Sequence, residues 1–160
     1  GAATVVNDAR LNFAASTVGG ALSATATTGN ITQSGALAIT GVTTIAADSG
    51  NNITLDNTSN NFQAAVSITS GNNVTLVDAG AIDLGASTVS GTYAVTATAG
   101  GDITDSGVLA ITSGATFTVA KVLDSSKITR CPPATLKVDV PVIAKTPLSV
   151  IFPPAVAVTA

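Results

Sequence analysis

Two pairs of carboxylates come closest to carrying chemistry in this sequence: Asp102 and Asp105 in GGDITDSG, and Asp78 and Asp83 in VDAGAID. Carboxyl groups held ~5–9 Å apart can serve as acid and base on a glycosidic bond, so polysaccharide cleavage is the first activity to weigh. The rest of the composition argues against it. There is no His, and all nine acidic residues are Asp, so a His base and a Glu acid are both excluded. Cys131 is the single cysteine. Alone it builds neither an intrachain disulfide nor a thiolate metal site, and without His it lacks an activating partner. It reads as a small, partly buried thiol, or as an intermolecular disulfide if the chain is exported. Stacked turn carboxylates could hold calcium, but the GGxGxDxUx nonapeptide of calcium-binding β-rolls is absent. N-x-[ST] strings at Asn30, Asn52, Asn57 and Asn73 follow from Thr-rich text more readily than from a modification signal. The expectation is a protein that is not an enzyme and has no catalytic residues, no metal and no other cofactor.

What must position these residues is a chain of unusual texture. Its 160 residues are 46% hydrophobic with mean hydropathy +0.52, yet only 9% are charged and 3% aromatic. Such a chain folds, but its core must be thin and regular, because Ala, Val, Ile and Leu fill it without aromatic anchors. The net charge of −3 is unevenly spread. Residues 1–120 carry seven Asp against Arg10, whereas residues 121–160 carry five Lys or Arg against Asp124 and Asp139. All six prolines also lie in that second stretch. The expected organisation is therefore an acidic repeat body, 1–120, and a basic, proline-rich tail, 121–160, acting as a cap or strand-exchange arm. No basic cluster has the density or aromatic interleaving that nucleic acid requires. No apolar run approaches ~18 residues, so membrane insertion is not expected. The start lacks the basic and apolar regions of a signal peptide.

The strongest signal is internal repetition. Residues 16–45 return as residues 87–117 with over half the positions identical, the offset moving from 71 to 72 at one inserted glycine. Inside this long period lies a shorter one. The strings GNITQS, GNNITLD, GNNVTLVD and GGDITDS begin at Gly29, Gly50, Gly71 and Gly100, at intervals of 21, 21 and 29 residues. Between them, runs such as ALAIT, AVSIT and YAVTATA alternate with period two and end in Gly, Asn, Asp or Ser, which reads as strands and turns. A period near 21 built of short strands predicts an all-β parallel solenoid of five or six rungs at ~4.8 Å each. In that geometry Asn30, Asn51 and Asn72 stack in an amide ladder, as do Asn52 and Asn73. Ile31, Ile53, Val74 and Ile103 form an aliphatic stack just inside the turn. Asp102 takes the place of Asn30, and Asp105 that of Gln33, so these carboxylates read as solvated turn formers.

The run from NITLDNTSNNF through SGATF is similar to the repeats of filamentous-haemagglutinin-like bacterial surface proteins of the two-partner secretion type. The resemblance covers roughly residues 16–120. It implies a right-handed parallel β-helix, an extracellular or cell-surface location, and an adhesive or structural role without catalytic residues. The tail does not continue the repeat. Its apolar alternation, Leu136, Val138, Val140, Val142, Leu148 and Val150, is broken by Pro141 and Pro147, which confines it to an edge strand or extended arm. The expected function is an adhesin or surface-fibre building block acting through shape and self-association. The alternative is a self-polymerising extracellular filament subunit joined by that arm. Expected partners are other copies of the chain, with host-surface or matrix glycans as a second class.

Overall fold

The computed structural model describes residues 1–120; the tail and its six arm positions lie outside the described residues. Period-two alternation becomes seventeen short strands, and the described residues contain no helix. The first coil holds β1 (Ala3–Asn7), β2 (Leu11–Phe13) and β3 (Ser16–Val18). The second holds β4 (Leu22–Ala26), β5 (Ile31–Gln33) and β6 (Leu37–Ile39), and the third β7 (Thr43–Ala47), β8 (Ile53–Leu55) and β9 (Asn61–Phe62). Next come β10 (Val66–Ser70), β11 (Val74–Asp78) and β12 (Ile82–Leu84), then β13 (Ser87–Val89), β14 (Thr92–Ala97) and β15 (Ile103–Asp105). The last coil adds β16 (Leu109–Ile111) and β17 (Gly114–Val119).

Every pairing among the described residues is parallel, so they wind as a three-sided solenoid. One ladder runs β1-β4-β7-β10-β12-β15, a second β2-β5-β8-β11-β14-β17, a third β3-β6-β9, and β13 pairs β16. Inward positions are sealed. Along the second ladder Leu11, Ile31, Ile53, Val74, Tyr93 and Ala115 lie in register, and those between the end coils are buried. Each such side chain contributes ~1.5–3 kcal/mol through burial. Ile103 is not in this stack: it pairs with Ile82 on another face.

The reason lies in how the long repeat maps onto the coil. Counting from β1, β11 stands ten strands later, which at three strands per coil is three and a third coils. The second copy is therefore advanced by one face. Thus β1, β4 and β7 occupy the first ladder, while their counterparts β11, β14 and β17 occupy the second. Pairings repeat faithfully: Ala3↔Leu22 becomes Val74↔Tyr93, Leu11↔Ile31 becomes Ile82↔Ile103, and Ser16↔Leu37 becomes Ser87↔Leu109. The interval of 29 before the GGDITDS string is one coil plus one face.

The switch between copies occurs above β10. Its first residue, Val66, meets Leu84 of β12. Beyond it Gly85 N donates to Val66 O, and Ile68 N donates to Ser87 Oγ, so β13 continues along the same strand.

Glycines at the corners serve close approach. A Cβ on Gly29 would lie 2.4 Å from Arg10 N, and one on its counterpart Gly101 would lie 2.1 Å from Ala81 N. Neither has a positive φ; among the described glycines only Gly100 and Gly114 do.

Candidate functional site

Two polar corners and the two ends of the described coil are the features that stand out from its apolar interior. At the first corner, which leads into the second ladder, Asn30 Oδ1 accepts from Asn52 N at 2.8 Å. Asn52 Oδ1 accepts from Asn73 N at 3.1 Å and Asn73 Nδ2 at 3.3 Å. Asn73 Oδ1 then accepts from Thr92 N and Thr92 Oγ1, at 3.1 and 2.9 Å. The side-chain ladder thus runs Asn30, Asn52, Asn73, Thr92. Asn51 and Asn72 lie beside it and are joined through the backbone, Asn72 N donating to Asn51 O at 2.7 Å. Aligning the glycines places Asn30 under Asn51. The coil places it under Asn52 because the loop between β7 and β8 is one residue longer than that between β4 and β5.

The second corner carries no such periodic signal, and sequence reasoning missed it. Asn60 is fully buried and spans three coils. Its Oδ1 accepts from Leu37 N at 2.9 Å and Gln33 Nε2 at 2.8 Å. Its Nδ2 donates to Gln33 Oε1, Leu55 O and Val77 O at 2.9, 3.3 and 3.1 Å. In the next coil Asp78 takes over. Its Oδ2 accepts from Phe62 N at 2.7 Å and its Oδ1 from Gly80 N at 2.6 Å. Burial holds the Asp78 carboxyl above its ordinary value, and the N–H groups of Phe62 and Gly80 offset this only in part. The irregular separation of Gln33, Asn60 and Asp78 along the chain hides the stack.

Of the remaining carboxylates weighed as acid and base, Asp102 and Asp105 are exposed and Asp83 is half-buried. Asp83 accepts from Ser106 Oγ at 2.8 Å, where the first copy has Asn12 Nδ2 donating to Ser34 Oγ. Carboxylate and amide do the same tying job. Among the described residues no cluster of three or more Asp, Glu, His or Cys is arranged to hold a metal ion, and no helix is long and apolar enough to cross a membrane.

Two hydroxyls are stranded in the interior. Thr43 Oγ1 and Tyr93 Oη are buried without a well-formed hydrogen bond. Burial pushes the Tyr93 phenol far up, with Ser87 opposing weakly; the Ser87 hydroxyl itself donates to Gly85 O and accepts from Ile68 N.

The ends complete the inventory. Ala3, Leu11, Phe13 and Val18 at one end, and Ile103, Leu109, Ile111 and Phe117 toward the other, are apolar but only partly buried. A family model described as repeats of unknown function, DUF5649, matches residues 1–69 and again 71–128. As far as residue 120 these two segments correspond to the two copies seen in the coil. No curated protein and no solved structure matches the chain.

Proposed function

Because the chain belongs to the DUF5649 repeat family, we propose that it is a structural building block of an exported bacterial surface protein, working through shape and stacking. The observation that carries this reading is that two copies of the long repeat share one continuous core and repeat the same strand pairings. Stability in such a stack is a sum of coil and neighbour terms, so length is gained by adding units. Polar side chains are spent on tying coils together: Asn30, Asn52, Asn73, Asn60 and Asp78 all bond to backbone above or below. The repeats of the filamentous-haemagglutinin type offer the finer form of this proposal, an adhesin or fibre segment reaching away from a cell. Right-handed winding accords with the hand that parallel crossovers take.

Electron microscopy of the purified chain, with antibody labelling of intact cells that make it, tests the proposal. Short rods and surface label are expected; irregular globules, or label confined to the cell interior, would overturn it. A second reading, a filament subunit, is favoured by the partly exposed apolar residues at both ends. It differs in one outcome, fibres that lengthen with protein concentration.

A further inference from the structure

We infer that the first coil is a prepared joint, shaped to sit on the closing coil of another unit of this same repeat. The inference rests on the structural reading above, and the joint it describes is already visible once inside the molecule. Strands β11, β12 and β13 are the second-copy counterparts of β1, β2 and β3, each displaced by 71 residues. Within the chain, the three second-copy strands rest on the coil that ends the first copy. Val74 of β11 pairs with Ile53, Leu84 of β12 meets Val66, and β13 lies along β10.

Two polar side chains secure that joint. Asp78 accepts the N–H of Phe62, and Ser87 accepts the N–H of Ile68, both donors belonging to the coil beneath. Their counterparts in the first coil are Asn7 and Ser16. Both carry a side-chain oxygen at the counterpart position. Ser16 Oγ donates to Ala14 O at 2.9 Å, and Ser87 Oγ donates to Gly85 O at 2.9 Å. Asn7 Nδ2 is tied into its own corner through Arg10 O. Yet Asn7 is exposed and Ser16 half-buried, whereas Asp78 and Ser87 are buried.

The apolar pattern agrees. The inward residues of β1, β2 and β3 are only partly covered, while those of β11, β12 and β13 are sealed. A strand edge with inward apolar residues and side-chain acceptors is completed by β-addition from a matching edge. The occupant is therefore a unit whose closing coil, the counterpart of residues 53–70, is free; in this chain that coil is already covered by β11, β12 and β13. One adjustment is needed. Gly85, whose Cβ would meet Ser67 Oγ at 2.2 Å, is matched by Ala14, so that hydroxyl must rotate aside.

The test extends the full chain by one further copy of residues 1–71 placed ahead of Gly1. In the added copy, the amides of Phe62 and Ile68 should become as protected from hydrogen exchange as in the original copy. Asn7→Ala and Ser16→Ala in the embedded original copy should then lower the melting temperature. The same two changes in the unextended chain should lower melting less, because only the local bonds to Arg10 O and Ala14 O are lost there, and Asn7→Asp should support the joint as Asp78 does. Fast exchange at the added Phe62 and Ile68, or substitutions with equal effect in both chains, would overturn the inference. Either result is independent of whether the protein reaches a cell surface.

Discussion

Thr43 and Asp78 show how single polar groups are treated inside a narrow coil. Thr43 Oγ1 is buried with no partner, and an unpaired buried hydroxyl costs about 1–3 kcal/mol. Thr43→Val keeps the β-branched shape and is expected to raise stability by about 1 kcal/mol, read as a higher melting temperature. Asp78 has its folded pKa raised above the ordinary 3.8, chiefly by burial. A raised carboxyl pKa favours folding fully below the unfolded value, and that contribution is lost as pH rises through the folded value. Asp78→Asn should therefore flatten this part of the pH dependence of unfolding as pH rises above the ordinary carboxylate value. An unchanged difference in melting temperature between wild type and Asp78→Asn across that range would contradict the assignment. The long repeat itself makes this exchange, with Asn7 in the place of Asp78.

At the scale of the strand and its corner, spacing between coils governs what is allowed. Parallel neighbours in a sheet lie ~4.8 Å apart, and a corner that crosses its neighbour more closely leaves no room for a side chain. Gly107, whose Cβ would lie 2.1 Å from Ala86 N, is such a place. Gly107→Ala must displace backbone and is expected to cost about 1–3 kcal/mol, whereas Gly50→Ala, with only Asp48 Oδ2 at 3.8 Å, has space. Comparing the two by chemical denaturation checks the argument. Asn60 is the costlier corner to lose. Asn60→Ala leaves the buried Leu37 N and Leu55 O, and the half-buried Val77 O, without their side-chain partner; a buried orphan costs about 1–3 kcal/mol. Its loss should exceed that of Asn52→Ala, where the ladder is exposed and water can replace the amide.

Over the whole molecule, the long repeat advances one face per copy, so a feature occurring once per copy visits the faces in turn. Paired cysteines in a Cys131→Ser background test this. Thr54→Cys with Thr75→Cys should oxidise to a disulfide, because these residues are register partners at a separation disulfides accept. Thr75→Cys with Thr104→Cys, which aligning the Gly-Asn strings would place on neighbouring coils, should not, because β15 pairs with β12 and belongs to a different ladder from β11. Cross-linking of the second pair within one chain would refute the rotation. Much of this architecture is legible in the residues alone. Thr, Val and Ile in period-two runs, with Gly and Asn between them, specify short strands and tight corners, and their recurrence near 21 residues specifies a parallel coil. These are local preferences, and they survive into the fold because each coil meets only its neighbours. Vertical alignment was settled only by the tertiary structure. One extra residue in the loop before β8 moves Asn30 from Asn51 to Asn52. The eight additional residues before Gly100 carry Ile103 to another face. Asn60 gains its partners from three coils at irregular separations. Which side chains stack depends on accumulated loop length around a closed coil, a sum over the chain that no single motif contains.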